Sequence, residues 1–118
     1  MRIILICSIV LALSACDERG ASIPVDNSTG FRDGYLVQVR RAGDIEWNGQ
    51  RLDDAEFERY LRQYAAMPTG AGRLWVEFEP QAPSGRIAFV REHVIKSGLC
   101  KQQRCVEGPW DTPRPVVN

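Results

Sequence analysis

The chain has a single histidine, His93, no surplus of either charge and no internal repeat. One histidine excludes sites built on histidine pairs. His93 also has no nucleophile or second ligand near it in the sequence, so a catalytic role for it has no local support. If residues 85–97 are helical, His93 lies off the apolar stripe and reads as a solvated side chain. The 15 basic and 15 acidic residues cancel and are interspersed. Nothing in this pattern supplies the clustered basic face that holds nucleic acid by its phosphates. Ser84 lacks the GxSxG surroundings of a nucleophilic serine. Cys100 and Cys105, with no histidines nearby, make a poor zinc site, and their spacing is not the redox CxxC. We therefore expect no metal, no cofactor, no nucleic-acid partner and no enzyme.

What is present begins at the N-terminus. Arg2 is followed by "IILICSIVLAL", an uncharged run, and then by small residues at Ser14 and Ala15. This is the layout of a secretory signal, and the run is shorter than the roughly 20 residues of a transmembrane helix. The tetrapeptide "LSAC" at 13–16 resembles the bacterial lipobox, which implies cleavage after residue 15 and a covalent lipid on Cys16. The competing reading is an ordinary signal cut near Ala15, with Cys16 a free thiol. Acyl chains stabilise attachment by about 0.8 kcal/mol per buried methylene, so a lipidated Cys16 anchors the protein to a membrane without a spanning helix. Asp17 and Glu18 resemble the signal that retains lipoproteins in the inner membrane, which favours that membrane over the outer one and places the domain in the periplasm.

From Cys16 onward the length suits one small domain and a tether. Residues 17–34 are rich in Gly, Ser, Asp and Asn, so 16–34 reads as a lipid anchor and flexible tether. Residues 35–107 read as the domain, and 108–118, with three prolines, as an extended tail. "YLVQVRR" alternates as a half-buried strand, "IEW" is its return strand, and Asn48-Gly49 is a hairpin turn. Asp53 and Glu56 can form a capping box for a helix whose Phe57, Tyr60, Leu61 and Tyr64 share one face, with Glu58 and Arg62 paired outside and Pro68 at its end. "RLWVEFE" alternates again. Ser84 is placed to cap a second helix with Ile87, Val90, Val94 and Ile95 inward and Gly98 at its close. A last strand falls within 102–107. The order ββαβα(β) predicts an α+β two-layer sandwich with both helices on one face of a small mixed sheet.

The block "GDIEWNGQRLDDAEFERYLRQ", the strand ending "FEP" and the helix "PSGRIAFVREHVIKSGL" resemble the periplasmic domain of the ExbD/TolR biopolymer-transport family, over residues 35–99. The resemblance implies dimerisation, docking on an envelope membrane protein, or contact with peptidoglycan. Members of that family carry an N-terminal transmembrane helix with an essential carboxylate. This chain has neither, so the resemblance does not extend to proton-driven transduction.

Cys7 lies in the signal and Cys16 at the lipid, which leaves Cys100 and Cys105 to form a disulfide in an oxidising compartment. Trp75, Glu77 and Glu79 share the strand face away from the helices. Two readings stand for that face: with Trp110 it forms an interaction surface, or the tail carrying Trp110 covers it. The functional expectation is a non-enzymatic, lipid-anchored adaptor acting by protein contact. The alternative is a peptidoglycan-binding module, and the remaining one an envelope enzyme using Glu77, Glu79, Glu92 or His93 in a pocket.

Overall fold

Central strands buried on both faces lay out the sheet of this computed structural model, which describes residues 22–28, 32–111 and 116–117. In β2 (Tyr35–Val39) and β5 (Leu74–Phe78), Val37, Val39, Leu74 and Val76 are fully buried on one face. β3 (Ile45–Trp47) turns at Asn48 and Gly49, both with positive φ, into β4 (Gln50–Leu52), a strand the sequence pattern does not reveal. With β6 (Cys105–Glu107) these make a five-stranded sheet in the order β4-β3-β2-β5-β6. β2, β5 and β6 run parallel, with Tyr35 beside Leu74 and Leu74 beside Cys105, while β3 and β4 are antiparallel additions at one edge. The architecture is α+β, with a mixed sheet and two helices.

Helix α1 (Asp54–Ala65) starts at a complete capping box: the Asp53 carboxylate accepts from the Glu56 amide at 2.8 Å, and the Glu56 carboxylate accepts from the Asp53 amide at 2.9 Å. Phe57, Leu61 and Tyr64 are its buried residues. Helix α2 (Ser84–Lys96) is entered differently from the expectation. Pro83 occupies the cap position with no side-chain bond, and Ser84 is already the first helical residue. Proline fixes the extended φ that leads into the first turn, so no hydroxyl cap is required. Val90 and Val94 are buried, and Gly98, at φ 91°, turns the chain out of the helix. Both helices pack on the Val37–Val76 face, where Tyr35, Trp47, Tyr60 and Tyr64 add edge-on and tilted ring contacts.

The ends of the chain are part of this packing. In the stretch read as tether, residues 22–28 lie along β6: Ile23 is buried in the core, Val25 bridges Glu107 in parallel, and Glu107 and Asp26 exchange backbone bonds with Pro24 and Glu107. β1 (Arg32–Asp33) pairs with β7 (Val116–Val117) in a separate two-stranded sheet. The tether expectation is thus corrected for 22–28 and 32–34, because one apolar residue, Ile23, and a free sheet edge suffice to dock a segment of otherwise polar composition. The signal at 1–15, Cys16 and residues 17–21 lie outside the described residues. Among the described residues no helix is long and apolar enough to cross a membrane.

Candidate functional site

Of the two faces of the sheet, the one away from the helices carries Leu36, Gln38, Trp75, Glu77 and Val106, as the register dictates. It is not open. Trp75 and Glu77 are each 1% exposed. After β6 the Gly108 amide bonds to the Val76 carbonyl, and the chain then turns so that the Asp111 amide donates to Glu77 Oε1 at 2.9 Å. Gln38 Nε2 donates to the same carboxylate oxygen at 3.0 Å. The Trp110 ring lies 5.2 Å from the Arg40 guanidinium carbon, and Trp75 Nε1 donates to Asp33 at 3.4 Å. The expected interaction surface is therefore corrected for Trp75 and Glu77, which the tail and β1 bury. Burial of a carboxylate is tolerable here because two donors converge on it.

The remaining sequence candidates are scattered. Glu79, past the end of β5, accepts from the Arg41 amide at 2.6 Å. Glu92 sits on the exposed side of α2, 3.7 Å from Lys96. His93 is a correction: it faces α1 instead of solvent, with Nδ1 2.9 Å from the Phe89 carbonyl oxygen and Nε2 3.2 Å from Glu58. Glu58 therefore pairs across to α2 and not with Arg62 along its own helix. The structure does not bring Glu77, Glu79, Glu92 and His93 into one pocket. No group of three or more His, Cys, Asp or Glu able to hold a metal occurs among the described residues.

Cys100 and Cys105 form the expected disulfide, with Cα atoms 4.8 Å apart. Between them lies a residue that sequence reasoning missed. Arg104 is 3% exposed, donates to the carbonyls of Gly72, Met67 and Tyr64 at 3.0, 3.2 and 3.4 Å, and stacks over the Tyr64 ring. These are carbonyls at the end of α1 and on either side of the 3₁₀ turn Thr69–Ala71 that follows it, where backbone acceptors need outside donors. Burial pushes the Tyr64 hydroxyl above its ordinary pKa, and that hydroxyl donates to the Gly72 carbonyl at 2.8 Å. A charged residue within a polar loop carries no sequence signal for this role.

The open groove of most chemical variety lies at the other end of the strands. About 640 Å³ in volume, it is lined by Gly43, Asp44, Arg51, Asp53, Asp54 and Arg86 among others. Its centre is a bidentate pair, Arg86 Nη1 and Nη2 to Asp54 at 3.1 and 2.7 Å, and Arg86 Nε also donates to the Gly43 carbonyl at 3.1 Å. The hydrogen bonds from Arg86 hold the Asp54 carboxyl below its usual range, and Asp54 raises Arg86 in turn. Glycine suits position 43 because its φ is 99°, and a Cβ there would also press on the Arg86 side chain at 3.1 Å. Beside the groove, Arg51 donates to Asp44 at 2.8 Å and projects from β4, the sheet's edge strand. Such a groove can exchange its internal ion pairs for charged groups of a partner, next to a strand edge able to pair with extended backbone. In the sequence, Asp54 was visible only as part of a helix start and Arg86 only as a helical residue. Comparison with protein-family models, curated proteins and solved structures finds no match to this chain.

Proposed function

We propose that this chain is a membrane-anchored lipoprotein of the bacterial envelope, facing the periplasm, that acts as a non-enzymatic adaptor by binding another envelope protein. The observation that carries the reading is the open charged groove beside the β4 edge, since its Arg86–Asp54 and Arg51–Asp44 pairs are on the surface and available for exchange. The "LSAC" sequence ahead of the domain supports the anchor, and the resemblance to the ExbD/TolR periplasmic domain supports docking over catalysis. Proton-driven transduction is no part of the proposal.

The test is crosslinking in cells followed by purification of the tagged chain, with Cys16→Ala and the double variant Arg51→Glu/Arg86→Glu alongside the wild type. A specific membrane protein recovered with the wild type, lost with the groove variant and reduced with Cys16→Ala is the expected result. Recovery that ignores the groove variant overturns the docking surface. Capture of wall fragments alone replaces the adaptor with a peptidoglycan-binding module.

A further inference from the structure

The strands give the domain a direction. β2, β5 and β6 are parallel, and the Val25–Glu107 bridge continues the same sense, so Ile23 stands level with Cys105 and Leu74 at the end where the parallel strands begin. The α1 C-terminus, the 3₁₀ turn and the Cys100–Cys105 loop gather at that end, tied by Arg104 to Tyr64, Met67 and Gly72. The charged groove, built from the starts of both helices and the β2–β3 turn, is at the other.

Chain length then limits where a lipid on Cys16 can be. Ile23 is buried at 6% exposure, and only seven residue steps separate it from Cys16. Fully extended, seven residues reach at most about 25 Å. The short connection cannot lift the domain far from the surface that holds the lipid.

Charge selects which side faces that surface. Residues 59–76 and 93–106 contain no Asp or Glu and carry Arg59, Arg62, Arg73, Lys96, Lys101 and Arg104. Of these, Arg104 is consumed internally, Arg73 is paired with Asp33 and Lys96 with Glu92, the last pair on the surface. The groove end holds Asp44, Asp53, Asp54, Glu56 and Glu79 together with Arg41, Arg51 and Arg86, and its acids are largely matched by these bases. The basic excess of a chain with no net charge thus lies at the end away from the groove. Basic residues at helix C-termini also complement the helix dipoles, but that accounts for neither Lys101 nor the apolar tip beside it. Ala66–Gly70 is an uncharged, exposed run, and Met67, at 38%, is one of two exposed large hydrophobics among the described residues. The other is Val25, on the docked segment itself.

We propose that the end formed by Ala66–Gly70 and Lys101–Gln103 rests on an anionic lipid surface, with Met67 at the headgroup level, which turns the Arg86–Asp54 groove toward the aqueous compartment. The inference rests on the lipid-anchor reading of Cys16. A basic side chain close to an anionic bilayer biases contact by about fivefold, and the effect fades within a Debye length, so only this end benefits.

The test uses the full acylated chain in vesicles of phosphatidylethanolamine with phosphatidylglycerol, against vesicles of phosphatidylcholine alone. A photo-crosslinking residue replaces Met67 in one version and Gln81, at the groove end, in another. Lipid capture from position 67 should exceed that from position 81, should depend on phosphatidylglycerol, and should fall at least about fivefold in Arg62→Glu/Lys101→Glu. Flotation with the vesicles should be unchanged in that charge variant, because the acyl chains are retained. Equal capture from both positions in a chain that floats overturns the orientation and leaves the anchor standing. A chain that carries no acyl mass, or floats equally well as Cys16→Ala, overturns the anchor and this inference with it.

Discussion

Under the helices, the sheet is closed by side chains of Phe57, Leu61, Tyr64, Val90 and Val94 against Val37, Val39 and Val76. On the other side it is closed by backbone and by polar groups: the Asp111 amide and Gln38 amide meet at Glu77, and Asp33 meets Arg73 and Trp75. The first closure depends on apolar area and tolerates no cavity. The second depends on matched donors and acceptors, and it fails when one partner is left without the other.

The largest expected effect lies on the apolar side. Phe57 has no exposed surface, and Phe57→Ala should cost about 3–5 kcal/mol from lost transfer energy plus the cavity. A urea titration checks this through a lowered midpoint with an unchanged slope. On the polar side, Glu77→Ala should cost about 1–3 kcal/mol, because the buried Gln38 amide and the half-buried Asp111 amide lose their acceptor. The double replacement Gln38→Leu/Glu77→Leu sharpens the contrast: it removes the Gln38 donor together with its acceptor, and should cost less than Glu77→Ala alone. A double variant worse than the single would show that the face is not held by hydrogen-bond matching.

The disulfide touches both closures, since β6 belongs to the sheet and Arg104 belongs to the loop that ties down the end of α1. Cys100→Ser/Cys105→Ser closes no loop in the unfolded chain and should lose about 2 kcal/mol in the chain-entropy model. Amide exchange should rise first at residues 64–72, where Arg104 supplies donors. Faster exchange confined to 22–28 would instead place the bridge's contribution at the β6 edge.

The same contrast explains what the sequence disclosed. Phe57, Leu61 and Tyr64 are spaced for a helix, and Val37 and Val39 for a strand, so the apolar closure was readable from periodicity; the Asp53–Glu56 capping box was readable from its three-residue spacing, and the Cys100–Cys105 pairing from setting aside Cys7 and Cys16. The polar closure was not, because the segments that provide it, around Asp33 and Trp110, have no period and join residues more than 30 positions apart, such as Glu77 and Asp111 at 34. The Arg86–Asp54 pair, 32 positions apart, was hidden for the same reason. His93 was misplaced because its position beside Glu58 depends on how α1 lies against α2, which the pattern of one helix does not contain.

The smallest effect is a matter of pH. Burial acts to raise Asp33, but hydrogen bonds from Arg73 and Trp75 outweigh it and leave the carboxyl below its usual pKa. Asp54 is lowered by Arg86 at the helix starts. A carboxylate with a lowered folded pKa favours the folded state at pH above its ordinary value near about 4, and that contribution disappears as acid protonates it through the lowered value. Both side chains are close to half exposed, at 43% and 53%, so solvent screening limits each contribution to below about 1 kcal/mol. Asp33→Asn and Asp54→Asn should each flatten part of the stability lost between neutral pH and strong acid, measured as urea midpoints. Of the two substitutions, Asp33→Asn should alter the acid response of Trp75 fluorescence, because Asp33, and not Asp54, bonds that indole. An equal response to both substitutions would mean that acid acts on the whole fold at once, and that the polar closure does not loosen separately from the apolar one.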